Sequence, residues 1–364
     1  MPLHPRSVTP ATSVMSLPLA VGAAGAIAGA LAGKAVSEWR HARRVEERDP
    51  PKGRFITLDG VRLHYFDTGG SGSSVVLLHG NATSVDDMEA SGLVSRLSRN
   101  HRVVAFDRPG FGFSSRPRTR LWNPAAQARL LASALRRLDV RHPVIVGHSW
   151  GTLVALALAL ENESSIAGLV LLAGYYFPSF RIDAVMNAPA ALPLLGDILN
   201  YTIMPSLTRL SLPRMLKKQF RPKPIAAAFL RRFPIELISR PWQIRAQAEE
   251  GALMVPAASA LQSRYKSLHL PIIVIAGAGD RVVSVERQSA RLAGELRYGD
   301  LRVLPGLGHM VHYAAGEEIE RAVDTLSGMD GGHRITARDE TLFVPSSANI
   351  PPDAETAVSE GTDT

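Results

Sequence analysis

Short, fully apolar runs alternate with longer segments of helical periodicity through the middle of the chain. We predict strands at Phe55–Leu58, Val61–Phe66, Val75–Leu78, Val103–Phe106, Val144–Val146, Leu169–Leu172, Ile272–Ala276 and Leu301–Leu304. The stretches near 86–98, 124–138 and 150–161 are predicted helices. Apolar runs of this length, separated by helices, are typical of a parallel sheet that is covered on both faces. The pattern therefore predicts an α/β domain, which we place at residues 51–327.

The alternation is interrupted between Tyr175 and Lys266. This segment contains ten prolines, and its 13 basic and five acidic residues give it a net charge of +8. We predict that residues 175–266 form a helical lid inserted between two strands, because the strand pattern resumes directly after it.

The first 50 residues have a different character. Residues 14–33 carry no charge and are rich in Ala and Gly, and a helix of that length can span a bilayer. Only Arg6 precedes this stretch, whereas basic residues are frequent from Lys34 to Arg48. The positive-inside rule then predicts a single N-terminal membrane anchor with the remaining chain in the cytoplasm. The alternatives are a cleaved signal peptide, with a secreted or periplasmic protein, and a disordered arm.

Three glycines of the predicted anchor, Gly25, Gly29 and Gly33, recur every four residues and so share one helical face. Small residues at this spacing allow two membrane helices to approach closely. A homodimer through this face is therefore a further hypothesis.

Composition narrows the classes of function. The chain of 364 residues is 46% apolar and 20% charged, as in globular proteins. It lacks cysteine, which excludes disulfides, thiolate metal sites and a cysteine nucleophile. The net charge is +8, but the basic residues have neither interleaved aromatics nor a nucleic-acid-binding motif, so we predict no nucleic-acid partner. Residues 328–364 are polar and acidic, and we predict a disordered tail.

One motif predicts a nucleophile. Gly147-His148-Ser149-Trp150-Gly151 follows an apolar strand and precedes a helical stretch. Strand, Gly-x-Ser-x-Gly and helix in this order form a nucleophile elbow, in which the serine stands exposed at a helix N-terminus. His148 adjoins the nucleophile, and we interpret it as a packing or hydrogen-bonding residue.

A serine nucleophile needs a base and an acid that orients the base. His309 follows the last predicted strand, and Asp280 is the only carboxylate in the loop after the preceding one. The order Ser, Asp, His along the chain is that of α/β-fold hydrolases. Asp183, after the strand at 169–172, is the alternative acid.

An acyl-transfer site also needs donors for the oxyanion. We predict the backbone N–H of Trp150, directly after the nucleophile, as one donor. The loop His79-Gly80-Asn81 follows a predicted strand, and Asn81 is the predicted second donor. This chemistry requires no metal and no organic cofactor.

Together with Asp107–Ser114, these motifs make the chain from about Gly53 to Leu326 resemble the α/β-hydrolase superfamily. The resemblance implies an eight-stranded, mostly parallel sheet with a helical lid after the sixth strand. Epoxide hydrolases and haloalkane dehalogenases of this superfamily carry aspartate where this chain has Ser149. The Ser-Trp pair is similar to that of proline iminopeptidases, although those have Gly in place of His148.

The sequence thus predicts a serine hydrolase that cleaves a carboxylic ester or related acyl compound. Its substrate would be a small molecule, and a lipophilic one if the protein lies at a membrane. The same residues also fit a proline-iminopeptidase-like activity, thioester or carbon–carbon bond hydrolysis, perhydrolysis and acyl transfer. A catalytically idle, membrane-tethered binding scaffold is the alternative of a different class.

Overall fold

The computed structural model describes residues 17–180 and 188–328. Its eight strands form one sheet in the order β1-β2-β4-β3-β5-β6-β7-β8. The strands are β1 Arg54–Leu58, β2 Val61–Asp67, β3 Ser74–Leu78, β4 Arg102–Phe106, β5 Val144–His148, β6 Gly168–Leu172, β7 Ile272–Gly277 and β8 Gly299–Leu304. Only β2 is antiparallel to its two neighbours. The predicted eight-stranded, mostly parallel α/β-hydrolase sheet is confirmed.

Helices cover both faces of this sheet. The α-helices assigned in the described residues, whether or not they contact the sheet, are α1 Leu17–Arg48, α2 Val85–Ala90, α3 Leu93–Leu97, α4 Pro124–Arg137, α5 Trp150–Asn162, α6 Leu195–Thr202, α7 Met204–Phe220, α8 Ala227–Arg232, α9 Pro241–Gln262, α10 Arg291–Glu295 and α11 Gly316–Ser327. Along β5, Ile145 belongs to the core shared with α4 and α5, whereas Val144 and Val146 belong to the core shared with α3 and α11. This alternation explains the continuous apolar runs, since both faces of each central strand are buried.

The predicted helix near 86–98 is two short helices, α2 and α3. Gly92 separates them in a left-handed conformation with φ of 83°, which glycine adopts without steric cost. The helix predicted at 150–161 is α5, and it is buried along most of its length.

Helices α6 to α9 lie between β6 and β7, in the segment with the dense prolines. Phe220, Phe229, Phe233 and Met310 form a small core of their own, which attaches this segment to the loop after β8. Its function as a lid stays a prediction. Residues 181–187, including Asp183, and residues 329–364 of the predicted tail lie outside the described residues.

The predicted membrane anchor is wrong. In the described part of the chain, no helix combines the length and the apolar character that crossing a membrane requires. Residues 17–33 begin a helix, α1, that continues to Arg48. The localisation derived from that anchor is therefore not supported.

The charged half of α1 explains the error, because its residues pack on the domain. The carboxylate of Glu38 accepts a hydrogen bond of 2.7 Å from Arg209, and that of Glu46 accepts one of 2.6 Å from Arg240. Arg48 is 3.1 Å from Glu236. Within the predicted membrane flank, Arg48 and the carboxylates of Glu38 and Glu46 thus form ion pairs with the inserted segment. At Gly25, Gly29 and Gly33 a Cβ would meet no atom within 4 Å, and the homodimer through this face stays a prediction.

Candidate active site

Ser149 occupies the sharp turn between β5 and α5. Its φ of 51° and ψ of −118° are unusual for a residue with a side chain, and such strain is concentrated at functional sites. The glycines of the motif permit the turn. A Cβ on Gly147 would stand 2.8 Å from the Gly151 carbonyl oxygen, and one on Gly151 would stand 2.3 Å from that of Leu78.

The structure brings together three side chains that the sequence nominated. The Ser149 hydroxyl oxygen lies 3.0 Å from Nε2 of His309. Nδ1 of His309 lies 2.8 Å from Oδ2 of Asp280. The three residues follow β5, β8 and β7, whose carboxyl ends meet at one edge of the parallel sheet.

Asp280 and His309 are both held by further hydrogen bonds. Oδ1 of Asp280 accepts the backbone N–H groups of Val282 at 2.7 Å and Val283 at 3.0 Å, which leaves Oδ2 for the imidazole. The backbone N–H of His309 donates to the carbonyl of Gln219, 3.1 Å away in α7. Sequence reasoning missed Gln219, because nothing in the local pattern links α7 to this loop.

His148 holds the same loop from the other side. Its Nε2–H donates to the backbone carbonyl of His309 at 3.1 Å. Burial, reinforced by His312 and His309 nearby, lowers the pKa of His148 well below its ordinary value. The ring therefore stays neutral next to the nucleophile, in agreement with its interpretation as a hydrogen-bonding residue.

The predicted oxyanion donors flank Ser149. Trp150 is the first residue of α5, so its N–H has no partner within the helix. A Cβ on Gly80 would stand 3.2 Å from the Cβ of Ser149, which places the loop carrying Asn81 against the serine. The Asn81 side chain donates to the Gln247 carbonyl of α9 at 3.2 Å.

The orientation of the Asn81 amide is set by hydrogen bonds to the carbonyl of Gly80, of which the two shortest come from His79 and Arg108. Nδ1–H of His79 donates to this oxygen at 2.7 Å, and Nη2 of Arg108 donates to it at 2.8 Å. Because the peptide is planar and trans, fixing the Gly80 carbonyl also fixes the opposite direction of the Asn81 N–H. Burial, followed by the positive charge of Arg108, lowers the pKa of His79 to about 3.

A cavity of about 510 Å³ opens onto Ser149 and His309. Helices α7 and α9 of the inserted segment form much of its wall. The α7 residues that line it include Ser211, Arg214, Met215 and Lys218, and those of α9 include Ile244, Gln247, Ala248 and Met254. None of its described lining residues is an aspartate or a glutamate.

One group of described side chains has the composition of a metal site. Ligand atoms of Asp87, His148 and His312 lie within 4.8 Å of one another, and all three residues are buried. His312 Nε2 lies 3.1 Å from Oδ2 of Asp87. This contact is a hydrogen bond that accounts for the imidazole and the carboxylate without a metal. We assign no metal to this group.

Comparison with known proteins agrees with this architecture. The sequence profile of the Alpha/beta hydrolase family matches residues 75–322. The 2-hydroxy-6-oxo-2,4-heptadienoate hydrolase of Pseudomonas putida is 27% identical over 285 residues, which cover 76% of this chain and 97% of the relative. The 2-hydroxymuconate semialdehyde hydrolase of a Pseudomonas species is 33% identical over 143 residues, or 38% of this chain and 50% of the relative.

Solved structures resemble the chain in fold. The enol-lactonase from Burkholderia xenovorans superposes with a TM-score of 0.60 at 19% sequence identity, over 75% of this chain and 99% of that structure. The family profile covers more than half of the chain, across the strands and loops that bear Ser149, Asp280 and His309. The chain therefore belongs to the alpha/beta hydrolase family and is a hydrolase.

Proposed function

We propose that the protein cleaves a carboxylic ester or a related acyl compound through an acyl-enzyme on Ser149. The hydrogen-bonded series Ser149 Oγ, His309 and Asp280, with distances of 3.0 and 2.8 Å, carries this proposal. In the tautomer in which Nδ1–H donates to Asp280, Nε2 can accept the proton of the serine hydroxyl.

In the first half of the reaction, Ser149 Oγ attacks the acyl carbonyl carbon while its proton moves to Nε2 of His309. The negative charge on the carbonyl oxygen would be stabilised by the N–H groups of Trp150 and Asn81. When the tetrahedral intermediate collapses, the bond to the leaving group breaks. The leaving-group oxygen takes the proton from His309, and the acyl group remains on Ser149.

In the second half, water attacks the acyl-enzyme and gives a proton to His309. Collapse of this intermediate releases the carboxylic acid, and the proton on Nε2 returns to Ser149 Oγ. Asp280 stays ionised throughout, since its part is to orient the imidazole and stabilise the imidazolium. No step in this scheme requires a metal or cofactor.

The test is covalent labelling by a fluorophosphonate probe, combined with turnover of 4-nitrophenyl esters of graded chain length. We expect one label per chain, on Ser149, and loss of both label and turnover in Ser149→Ala. Ser211→Ala is the matched control, because Ser211 lines the same cavity from α7 and should not affect labelling. A folded protein that neither labels nor turns over any ester would contradict the proposal and favour a binding scaffold.

Hydrolysis of a carbon–carbon bond is a second candidate. It is favoured by the similarity to 2-hydroxy-6-oxo-2,4-heptadienoate hydrolase, which extends over 97% of that relative. The same serine and histidine can act on an activated ketone. Loss of the absorbance of 2-hydroxy-6-oxo-2,4-heptadienoate on incubation with the protein, at a rate above that of the esters, would favour this candidate over ester hydrolysis.

A further inference from the structure

We propose that the substrate of this site carries an anionic group, a carboxylate or a phosphate, which Arg214 and Lys218 bind while Ser149 attacks the acyl carbon. This inference rests on the proposed acyl hydrolysis and adds the class of compound on which it acts. Both cations line the cavity that contains Ser149 and His309.

The geometry of α7 presents these cations to the cavity together. Ser211, Arg214, Met215 and Lys218 are spaced by three or four residues, so they share one face of the helix, and all four line the cavity. Lys217 lies in the same turn as Lys218 but does not line the cavity. The helix thus divides its basic residues between the cavity and the outer surface.

The charges of the inserted segment are distributed unevenly. Each of its described carboxylates, namely Asp197, Glu236, Glu249 and Glu250, is in an ion pair with an arginine. In contrast, the described structure contains no ion pair for the exposed cations Arg214, Lys217, Lys218, Arg221, Lys223, Arg231 and Arg232.

Uncompensated positive charge therefore lies at the cavity wall and beside it. A cleft lined by charge of one sign concentrates ligands of the opposite sign and increases their rate of association. Because the cavity has no carboxylate among its described lining residues, none of these residues neutralises Arg214 and Lys218.

The apolar part of the cavity lining is suited to the remaining part of such a substrate. Ile244, Ala248 and Met254 of α9 supply apolar surface, and Met215 adds to it from α7. A compound with a short apolar acyl chain and an anionic end would contact both the cations and the apolar residues. A neutral ester of the same length would make only the apolar contacts.

Basic residues at a helix C-terminus also stabilise the helix through their interaction with its dipole. The test separates this structural role from substrate binding. Mono-4-nitrophenyl glutarate and 4-nitrophenyl pentanoate have acyl chains of equal length, and only the first ends in a carboxylate. For the double variant Arg214→Gln/Lys218→Gln, we expect kcat/KM for the glutarate ester to fall about tenfold or more. The value for the pentanoate ester should change less than about twofold.

Lys217→Gln is the matched control, because Lys217 is in the same last turn of α7 and has the same relation to the helix dipole. This substitution should change kcat/KM for neither the glutarate nor the pentanoate ester. Added salt should reduce the preference of the wild-type protein for the glutarate ester, and it should have no such effect on the double variant. A second arm of the experiment tests a lipid phosphate as the anion. It compares the rates at which the protein hydrolyses phosphatidylglycerol and phosphatidylcholine in mixed micelles. A preference for the anion in either arm that disappears in the double variant supports the proposal.

Failure of the proposal is distinguishable from failure of the proposed hydrolysis. Calorimetric titration of Ser149→Ala with monomethyl glutarate measures binding without any turnover. If the anionic and neutral compounds are turned over equally in both arms, by wild type and double variant alike, the anion site is refuted while acyl hydrolysis stands. If nothing is hydrolysed, binding of monomethyl glutarate that depends on Arg214 and Lys218 supports the site, and absence of such binding refutes it.

Discussion

Arg108 and Glu250 form an ion pair in which both side chains are fully buried. Arg108 follows β4, and Glu250 lies on α9 of the inserted segment. The same guanidinium donates to the carbonyls of His79 and Gly80, each at 2.8 Å. A helix of the inserted segment therefore supports, through Arg108, the loop that carries the proposed oxyanion donor Asn81.

Breaking this pair should affect both stability and activity. Glu250→Gln leaves the Arg108 charge buried without its counter-ion, which should lower the free energy of unfolding by about 3–5 kcal/mol. We also expect a lower kcat with little change in KM, because the Gly80–Asn81 peptide loses a constraint on its orientation. Urea unfolding and ester kinetics measure the two effects.

Glu295→Gln is the control for this change, since Glu295 pairs with the half-exposed Arg291 on the surface. It should cost at most about 1 kcal/mol. Wild-type kcat and stability in Glu250→Gln would show that α9 does not support the loop.

Asp280→Asn should preserve the fold and reduce turnover. The amide cannot stabilise the imidazolium and can hold His309 in the wrong tautomer, as in other enzymes with this arrangement, at a cost on the order of 10⁴-fold in kcat. Asp300→Asn, at a partly exposed site on β8, is the control and should be near wild type. Substantial turnover by the folded Asp280→Asn protein would assign the acid elsewhere, with Asp183→Asn as the next variant to measure.

The elbow glycine offers a stability test with a matched control. In Gly151→Ala the new methyl would overlap the Leu78 carbonyl oxygen, 2.3 Å away. We expect a loss of about 1–3 kcal/mol of stability and a roughly 100-fold slower labelling of Ser149, since a small displacement of a reacting group is costly. Gly294→Ala, where a Cβ meets no atom within 4 Å, should instead stabilise by about 0.5–1 kcal/mol. Equal effects of the two substitutions would mean that the elbow tolerates a side chain.

The depressed pKa of His79 predicts acid sensitivity. In the unfolded chain this histidine binds a proton below about pH 6.5, whereas in the folded protein its pKa is about 3. The contribution of the neutral ring to the free energy of unfolding is therefore complete above pH 6.5. It is lost progressively as the pH falls toward 3. The free energy of unfolding should decrease by up to about 1.4 kcal/mol for each unit by which the pH falls in this range.

His79→Gln should remove the part of the pH dependence of stability that comes from this histidine. Urea unfolding at pH 7, 6 and 5 measures the effect. His148 contributes in the same direction, so part of the slope should remain. His269→Gln, at an exposed site, is the control. A slope for His79→Gln equal to that of wild type would show that His79 does not carry the effect.

The sequence by itself determined the sheet and the three side chains at its edge. Strands such as Val144–His148 open with consecutive apolar residues, here Val144 to Val146, and burial on both faces follows from that local pattern. Once the strands are parallel, the residues after β5, β7 and β8 must lie at one edge, so Ser149, Asp280 and His309 could be nominated without coordinates. The elbow glycines are likewise a local requirement of the backbone.

The tertiary structure alone decided which charged side chains of distant helices form ion pairs. The basic residues after position 33 have the same spacing in a membrane flank and in a packed helix, and only the contacts of Glu38 and Glu46 with arginines of the inserted segment distinguish the two. The support of His309 by Gln219 and the burial of Arg108 with Glu250 depend in the same way on how α7 and α9 pack. Local patterns specify which residues are buried and which turns are allowed. They do not specify which charged side chains meet, because that depends on the packing of segments far apart in the chain.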